Sequence, residues 1–396
     1  MRTNFKYIFA FLVLIIIYSC SKEPDNNPID PPDDGDGGNE ISFIDTASIE
    51  AIAINLMQYI PTWDELKRFT DNAQRLPYPN YSKRALAWGE SIQPSDGNYA
   101  KEAMKYYDDL FDTYKPNISP ALFTVLPPFG NDDGSNLTYP LSGEILDKKL
   151  RACTVLFLRE KSKGRPTTFV NFWPPTVEDP NFTSETVFNQ WVDAKYMPEK
   201  IAEAKAAEIM KAEYLIAWPL ELELFVQNVG GIGNGGFLEN KPGEEILTFA
   251  NNFKNKIRDE VKKYYHGKLI AHLYNNYFQR DSLWENMTYE GFDELHMAIF
   301  PTFDVETTEL YMDAQIHHYT KIIQNSGNLP WVASEISVFE KYFQNGNLRS
   351  IEKQIYETVF TKLENAPIPP VGISPGAGVI LTDEAKNYII QYFNSH

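Results

Sequence analysis

Cysteine is scarce in this chain, and the spacings that bind metals or phosphates are missing. The 396 residues include two cysteines and six histidines. The sequence contains no H-E-x-x-H motif, no paired Cys-x-x-Cys spacing and no phosphate-binding G-x-x-x-x-G-K-[ST] loop. We therefore predict that the protein works without a resident metal or cofactor.

The chain also has no excess of basic residues over acidic ones. The chain has 54 acidic and 36 basic residues, which gives a net charge of −18. Because basic surfaces attract nucleic acids and other anionic polymers, we predict no nucleic-acid partner and expect a neutral ligand. Aromatic residues make up 14% of the chain, with 23 tyrosines. Sugar-binding clefts are rich in aromatic faces, although aromatic side chains also fill cores.

A long hydrophobic run occurs at residues 8–17, and it is too short to span a bilayer comfortably. Two basic residues precede this run, and Ile-Tyr-Ser-Cys ends it at Cys20. This pattern resembles a bacterial lipoprotein signal, which implies that residues 1–20 are a signal peptide and that Cys20 carries the lipid. An ordinary secretory signal or a lone transmembrane anchor is the alternative.

Residues 21–40 contain seven acidic residues, one lysine and almost nothing apolar. We predict that residues 21–42 form a disordered acidic tether. Acidic residues after a lipidated cysteine also resemble a surface-export signal of Gram-negative lipoproteins. We expect an anchor in the outer membrane of a Gram-negative bacterium, facing the periplasm or the cell surface. With Cys20 lipidated, Cys153 has no disulfide partner in the chain and is predicted to be a buried, unreactive thiol.

Apolar strand-like runs alternate with amphipathic helical patterns through residues 43–396. Eight runs are predicted as strands, at residues 52–59, 121–126, 167–173, 213–220, 268–274, 294–300, 331–334 and 370–374. Helices are predicted at residues 99–114, 198–211, 243–265, 308–325, 349–364 and 382–393. This alternation predicts a single-domain α/β fold, a (β/α)₈ TIM barrel, which we expect to be a monomer. A doubly wound open sheet is the rival, although the glycine-rich turn after its first strand is missing.

Two of the predicted strands end in carboxylates. Glu221 and Glu223 end the fourth strand, and Glu335 ends the seventh. A charge at the end of a buried strand is costly unless the site uses it, and TIM barrels place their chemistry at the carboxyl ends of the strands. One carboxyl acting as acid and another as nucleophile are the minimum equipment for cleaving a glycosidic bond.

Three short segments carry a resemblance to a known family. Residues 218–223, 299–303 and 333–336 resemble the endings of strands four, six and seven in clan A retaining (β/α)₈ glycoside hydrolases. They are most similar to the endo-β-1,4-galactanases and the family 113 β-mannanases. The resemblance implies a retaining hydrolase of a neutral β-linked poly- or oligosaccharide, with Glu335 as nucleophile and Glu221 as acid/base.

The residues around Glu221 leave two alternatives open. Glu223 lies two positions further on, so both side chains share one face of an extended strand; we assign Glu223 to sugar binding. The clan usually has asparagine before its acid/base glutamate, where this chain has Leu220. That departure favours the alternative of a non-catalytic glycan-binding lipoprotein on a degenerate barrel. A structural protein is a third possibility.

Further sugar-binding residues are predicted beside the strand ends, where aromatic rings would stack on sugars and polar groups would bind hydroxyls. The set is Asn171, Trp173, Trp218, His272, Tyr274, Phe303 and Trp331. His296 carries a donor in a similar position. Core packing is the alternative for the tryptophans, and a satisfied core position is the alternative for each histidine.

Overall fold

The computed structural model describes residues 44–56, 58–78, 83–84, 99–117, 142–169, 182–218, 236–274, 285–301, 304–338, 347–376 and 380–396. Its helices are α1 (Thr46–Ile54), α2 (Trp63–Thr70), α3 (Tyr99–Tyr114), α4 (Gly143–Ser162), α5 (Glu185–Trp191), α6 (Met197–Ile209), α7 (Gly243–Val261), α8 (Val305–Asn325), α9 (Leu348–Glu364) and α10 (Asp383–Ser395), and a π-helical turn (Val192–Tyr196) joins α5 to α6. Its strands are β1 (Lys83–Arg84), β2 (Thr168–Phe169), β3 (Tyr214–Trp218), β4 (Lys268–Tyr274), β5 (Glu294–Ile299), β6 (Trp331–Ile336) and β7 (Gly372–Pro375).

The strands form one parallel sheet in the order β1-β7-β6-β5-β4-β3-β2. From β2 to β7 each strand pairs with its neighbours in the sequence, and helices lie between most of them. The first strand pairs with the last, with Lys83 opposite Gly372 and Arg84 opposite Ile373. A parallel sheet whose first and last strands meet is the arrangement of a (β/α)₈ barrel, so the predicted fold is confirmed. The predicted second strand, residues 121–126, lies outside the described residues.

The two faces of the strands differ in chemistry. On β4, β5 and β6 the side chains that join the hydrophobic core are Leu269, Ala271, Leu273, Leu295, Met297, Ile299, Trp331, Ala333 and Ile336. Because side chains alternate along a strand, the positions between them face the barrel interior. Those positions include buried polar residues, namely His272, Glu294, His296 and Ser334. The interior of this barrel therefore contains polar as well as apolar side chains on its β4–β6 side.

Helix α4 is buried on nearly every side. Every residue from 149 to 162 is buried, and Cys153 is 3% exposed, as predicted for this thiol. Its buried residues include the charged Lys149, Arg151, Arg159, Glu160 and Lys161 as well as apolar ones. No helix was predicted here. Among the described residues, no helix combines the length and hydropathy needed to span a bilayer.

The predicted first strand, residues 52–59, is wrong. Most of its apolar residues belong to α1 or to the turn that follows, where Ile49, Ala53 and Leu56 are buried at helical spacing. The Asp45 carboxylate caps this helix by accepting from the backbone N–H of Ser48 at 3.4 Å. The other predicted strands that fall on described residues are present, and β4 has the predicted bounds.

The carboxylate of Glu213 lies at the amino-terminal end of the barrel. This residue directly precedes β3 and is 0% exposed. Its Oε1 accepts from the backbone N–H of Leu76 at 2.8 Å and from the ammonium of Lys161. Its Oε2 accepts from the N–H of Thr167 at 2.5 Å and from the hydroxyl of the same residue at 2.8 Å. The Lys161 ammonium also donates to the carbonyl of Gln74 at 2.9 Å. One buried carboxylate thus joins the chain before β1, helix α4 and the starts of β2 and β3.

Candidate active site

Strand β6 has one extra residue at its carboxyl end. Ser334 lies opposite Ala298 of β5, while Ile336 lies opposite the very next residue, Ile299, so Glu335 is the inserted residue of a β-bulge. Glu335 has a φ of 50°, in the left-handed region that costs a non-glycine residue about 1–2 kcal/mol. Its side chain is half-buried, and its Oε2 atom is buried. Such strain is concentrated at functional sites, where the surrounding structure holds it.

Strand β3 has an irregularity at the same edge of the sheet. Ile216 lies opposite Ile270, whereas Trp218 lies opposite Ala271, so β3 also gains a residue near its carboxyl end. The predicted acid/base residue, Glu221, follows three positions later, outside the described residues. β3, which precedes Glu221, and β6, which contains Glu335, are therefore both bulged near the carboxyl end of the barrel. Bulges at such places re-aim the chain that follows.

A hydrogen bond crosses the barrel interior directly below Glu335. The Ser334 hydroxyl and His272 Nε2 are 2.9 Å apart, and these residues are 0% and 1% exposed. Burial, together with the nearby His296, lowers the pKa of His272 well below 6.5, so its ring is neutral at pH 7. The His272 and His296 rings meet edge to face with centroids 6.1 Å apart. His296 Nε2 in turn lies 2.8 Å from Glu294 Oε1.

A serine next to a histidine also occurs in nucleophilic enzymes, but burial argues against that use here. Ser334 and His272 are enclosed by the barrel, so a substrate carbonyl has no route to the hydroxyl. Residues 372–376 match the G-x-S-x-G pattern of esterases, whose serine stands exposed on a turn between a strand and a helix. Ser374 instead lies within β7 and is 0% exposed. Neither serine is therefore placed as a nucleophile.

Two of the predicted sugar-binding side chains, those of His272 and Trp331, are buried, which is the alternative left open for each. His272 lies in the barrel interior, is 1% exposed and bonds to Ser334. Trp331 is 1% exposed on the helix side of β6, where its indole N–H donates to the carbonyl of Ile368 at 2.9 Å. Its ring packs edge to face against Tyr319 at 5.9 Å. Trp331 therefore belongs to the core, because the alternation along β6 turns it away from the interior.

The side chains of the remaining predicted residues lie outside the described part of the structure. Asn171, Trp173, Glu221, Glu223 and Phe303 lie outside the described residues. Trp218 and Tyr274 end β3 and β4, and only their backbones are described. Their roles in sugar binding and catalysis remain predictions. The described residues include no group of three or more histidine, cysteine, aspartate or glutamate side chains able to hold a metal ion.

Sequence reasoning missed Ser334 and Glu294 as members of this site. Ser334 immediately precedes Glu335, and Glu294 lies two residues before His296 on β5. The signal that could have found Glu294 is a charged residue at the start of an otherwise apolar strand, because burial there requires a partner. The partner of Ser334 is 62 positions away in the sequence, and no local pattern points to it.

The fold is similar to solved glycoside hydrolases, and no protein-family model or curated protein matches the sequence. A β-1,4-mannanase of glycoside hydrolase family 113 overlays with a TM-score of 0.41 at 14% identity, over 62% of this chain and 79% of its own. The family 113 β-mannanase from Alicyclobacillus acidocaldarius overlays at 0.39 and 10% identity, over 62% and 78%. A β-glucuronidase from Bacteroides uniformis gives 0.42 and 12% identity, over 75% of this chain and 30% of its own.

Proposed function

We propose that the protein is a retaining glycoside hydrolase that cleaves a neutral β-linked poly- or oligosaccharide. The observation that carries the proposal is the position of Glu335. It is a half-buried carboxylate held in a left-handed conformation at the carboxyl end of a barrel strand. In barrels of this kind the chemistry lies at that end. The bulge that precedes the Glu221 segment on β3 supports the same assignment.

The two carboxyl groups would share the work of a double displacement. Glu335 would attack the anomeric carbon and form a glycosyl-enzyme bond, while Glu221 would protonate the departing glycosidic oxygen. Glu221 would then take a proton from water as that water attacks the same carbon and releases Glu335. This sequence requires the two carboxyl groups to lie about 5–5.5 Å apart. Glu223 would bind the sugar.

The reaction class is tested by reducing-end release from mannan, galactan, xylan and β-glucan by the purified full-length protein. We expect activity on one polymer, the β-anomer as the first product seen by NMR, and loss of that activity in Glu335→Gln. Glu309→Gln, which alters an exposed glutamate on α8, is the matched control and should remain fully active. Full activity of Glu335→Gln would overturn the proposal.

The roles of the two glutamates are separated by azide rescue of alanine variants. Azide replaces the missing nucleophile in Glu335→Ala and should give the α-glycosyl azide. In Glu221→Ala the intact nucleophile reacts first, so azide should give the β-glycosyl azide. If Glu223→Ala rather than Glu221→Ala yields the β product, the acid/base assignment passes to Glu223.

Leu220 favours a second candidate function, the non-catalytic glycan-binding barrel. Leucine cannot make the hydrogen bond to the sugar 2-hydroxyl that the usual asparagine of the clan makes, and such bonds strengthen in the transition state. This candidate predicts sugar affinity without turnover in the polymer assay. It also predicts that Trp173→Ala or Trp218→Ala abolishes that affinity.

We further propose that the protein is a monomeric lipoprotein, anchored through Cys20 in the outer membrane of a Gram-negative bacterium. The short apolar run before Cys20 and the acidic residues after it support this proposal. Metabolic labelling with a fatty-acid analogue should modify the wild-type protein and spare Cys20→Ser. Equal labelling of both proteins, or of neither, would contradict the lipid anchor.

A further inference from the structure

We propose that the buried hydrogen bond between His272 and Ser334 holds Glu335 in its left-handed conformation. Ser334 and His272 are then positioning residues, which act on the reaction through the orientation of the Glu335 carboxylate. The inference rests on the proposed function for its catalytic consequence. The structural part of the proposal, which concerns the backbone conformation of β6, does not depend on that function.

The register of the sheet explains how two residues on separated strands meet. His272 lies opposite His296 on β5, and Ala298, one interior layer higher on β5, lies opposite Ser334. The bond therefore runs diagonally across β5, from the lower layer on β4 to the upper layer on β6. Neighbouring strands are about 4.8 Å apart, and β5 separates β4 from β6. A contact between β4 and β6 across β5 therefore needs a long side chain, here the imidazole of His272, and a small residue on β5, here Ala298.

The bond acts at the last residue before the bulge. Ser334 is still in register with β5, whereas Ile336 has gained one position. Beyond the bulge the backbone is fixed again, because the Ser337 N–H donates to the Ile299 carbonyl at 3.1 Å. Glu335 is thus the link between two fixed segments, and its strained φ persists only while both are held. The ladder holds the backbone on both sides, and the His272–Ser334 bond additionally anchors the side chain of the last residue before the bulge.

The lower residues of the interior in turn hold His272. The His296 ring packs edge to face with the His272 ring, and its Nε2 is bonded to Glu294 at 2.8 Å. All three residues are nearly inaccessible to solvent. A packed and hydrogen-bonded layer limits the rotamers of the imidazole, so its Nε2 offers a fixed point to Ser334. The Ser334 hydroxyl thereby connects this buried layer to the carboxyl end of β6.

The test compares Ser334→Ala with Ser326→Ala in the full-length protein. Ser326 is a second buried serine, 1% exposed, before the amino end of β6; its hydroxyl donates to the Ile322 carbonyl at 2.6 Å and accepts from the Tyr289 N–H at 3.0 Å. We expect Ser334→Ala to lower kcat at least about tenfold with little change in KM, as for a misplaced catalytic group. Ser326→Ala should leave kcat unchanged. Ser334→Thr keeps a hydroxyl and should restore most of the rate.

A crystal structure of Ser334→Ala gives a readout that does not depend on turnover. We expect Glu335 to leave the left-handed region; a φ that stays near its wild-type value would overturn the inference, whatever the change in kcat. An unchanged kcat in Ser334→Ala would overturn it as well. If the wild-type protein cleaves no polymer, the proposed function fails, and the backbone of Glu335 in the variant still decides whether the hydrogen bond positions it.

Discussion

Lys161 and Glu213 form an ion pair that solvent does not reach, at the end of the barrel opposite Glu335. Their side chains are 2% and 0% exposed. Burial lowers the pKa of Lys161, although the Glu213 carboxylate beside it favours the charged form. A buried ion pair adds little stability over an apolar pair, but removal of one partner leaves the other charge uncompensated.

Glu213→Gln should therefore lower the free energy of unfolding by about 3–5 kcal/mol, measured by urea denaturation. The substitution keeps the size of the side chain and removes the charge that faces Lys161. Glu245→Gln is the control, because it breaks the Lys241–Glu245 pair, whose side chains are 50% and 55% exposed. That variant should lose less than about 1 kcal/mol. Equal losses in the two variants would contradict the role of the buried pair.

Glycine at position 335 should be more stable than alanine there, the reverse of the usual order in a strand. The φ of 50° strains any residue that carries a Cβ atom, and glycine adopts it freely. We expect the free energy of unfolding of Glu335→Gly to exceed that of Glu335→Ala by about 1 kcal/mol. At Ser334, which precedes the bulge, the same comparison should favour alanine. A more stable alanine at position 335 would show that the strain is absent.

His272 should make the stability depend on pH below neutrality. Burial keeps its pKa well below 6.5 in the folded state, whereas the unfolded chain has an ordinary histidine. Below pH 6.5 the unfolded state therefore binds a proton that the folded state does not. Stability falls as the pH drops from 6.5 towards the folded-state pKa, by up to about 1.4 kcal/mol per pH unit, and levels off below it.

This dependence is measured by denaturant unfolding of the wild type and His272→Gln at about pH 7.5 and about pH 5. Glutamine cannot titrate, so the variant should lose less stability between the two values than the wild type. The groups that face His272, including His296 and Glu294, are common to both proteins and largely cancel in the comparison. Parallel losses would indicate that His272 titrates normally in the folded protein.

Asp108 should make the stability depend on pH between pH 3.8 and about 2. Burial disfavours its ionised form, but hydrogen bonds from Arg159 and Arg165 and the charge of Lys163 outweigh burial and lower its pKa to about 2. A depressed carboxylate pKa stabilises the folded state above the unfolded pKa, near 3.8, and this stabilisation is lost as the pH falls to about 2. Asp108→Asn lacks this dependence. Its unfolding free energy should therefore fall less than that of the wild type between these values.

For Asp108, we compare the acid unfolding transitions of the wild type and Asp108→Asn, monitored by circular dichroism. Asp313→Asn serves as the control, because Asp313 binds Lys362 at the surface and its side chain is 59% exposed. The control should follow the wild-type acid transition. An Asp108→Asn transition identical to that of the wild type would contradict the lowered pKa.

Much of the barrel was predictable because its strands are short, largely apolar runs that alternate with helical patterns. Residues 268–274 and the helix Tyr99–Tyr114 were predicted with their observed bounds. Strand β1 could not be found this way, since Lys83 and Arg84 are charged and form a strand only through pairing with β7. The apolar residues at 52–59 misled the prediction because a short run does not separate a strand from a buried helix face.

The candidate site was predictable only in part. Glu335 stands out in the sequence because a carboxylate ends an apolar run, and its strand was placed correctly. Its left-handed φ and the bulge were not predictable, because both depend on the register between β5 and β6. His272 was predicted to bind sugar and instead bonds to Ser334, since the sequence does not reveal which interior layer a strand residue occupies.

The pairing of β1 with β7 also sets an order for biosynthesis. Lys83 and Arg84 are synthesised long before Gly372 and Ile373, with which they pair. The seam between them closes a loop that contains nearly all of the domain, and contacts so distant in sequence form slowly. Until β7 pairs with β6, that edge of β6 is open to other chains, which is an aggregation hazard. The seam of the barrel forms only after β7 has been synthesised.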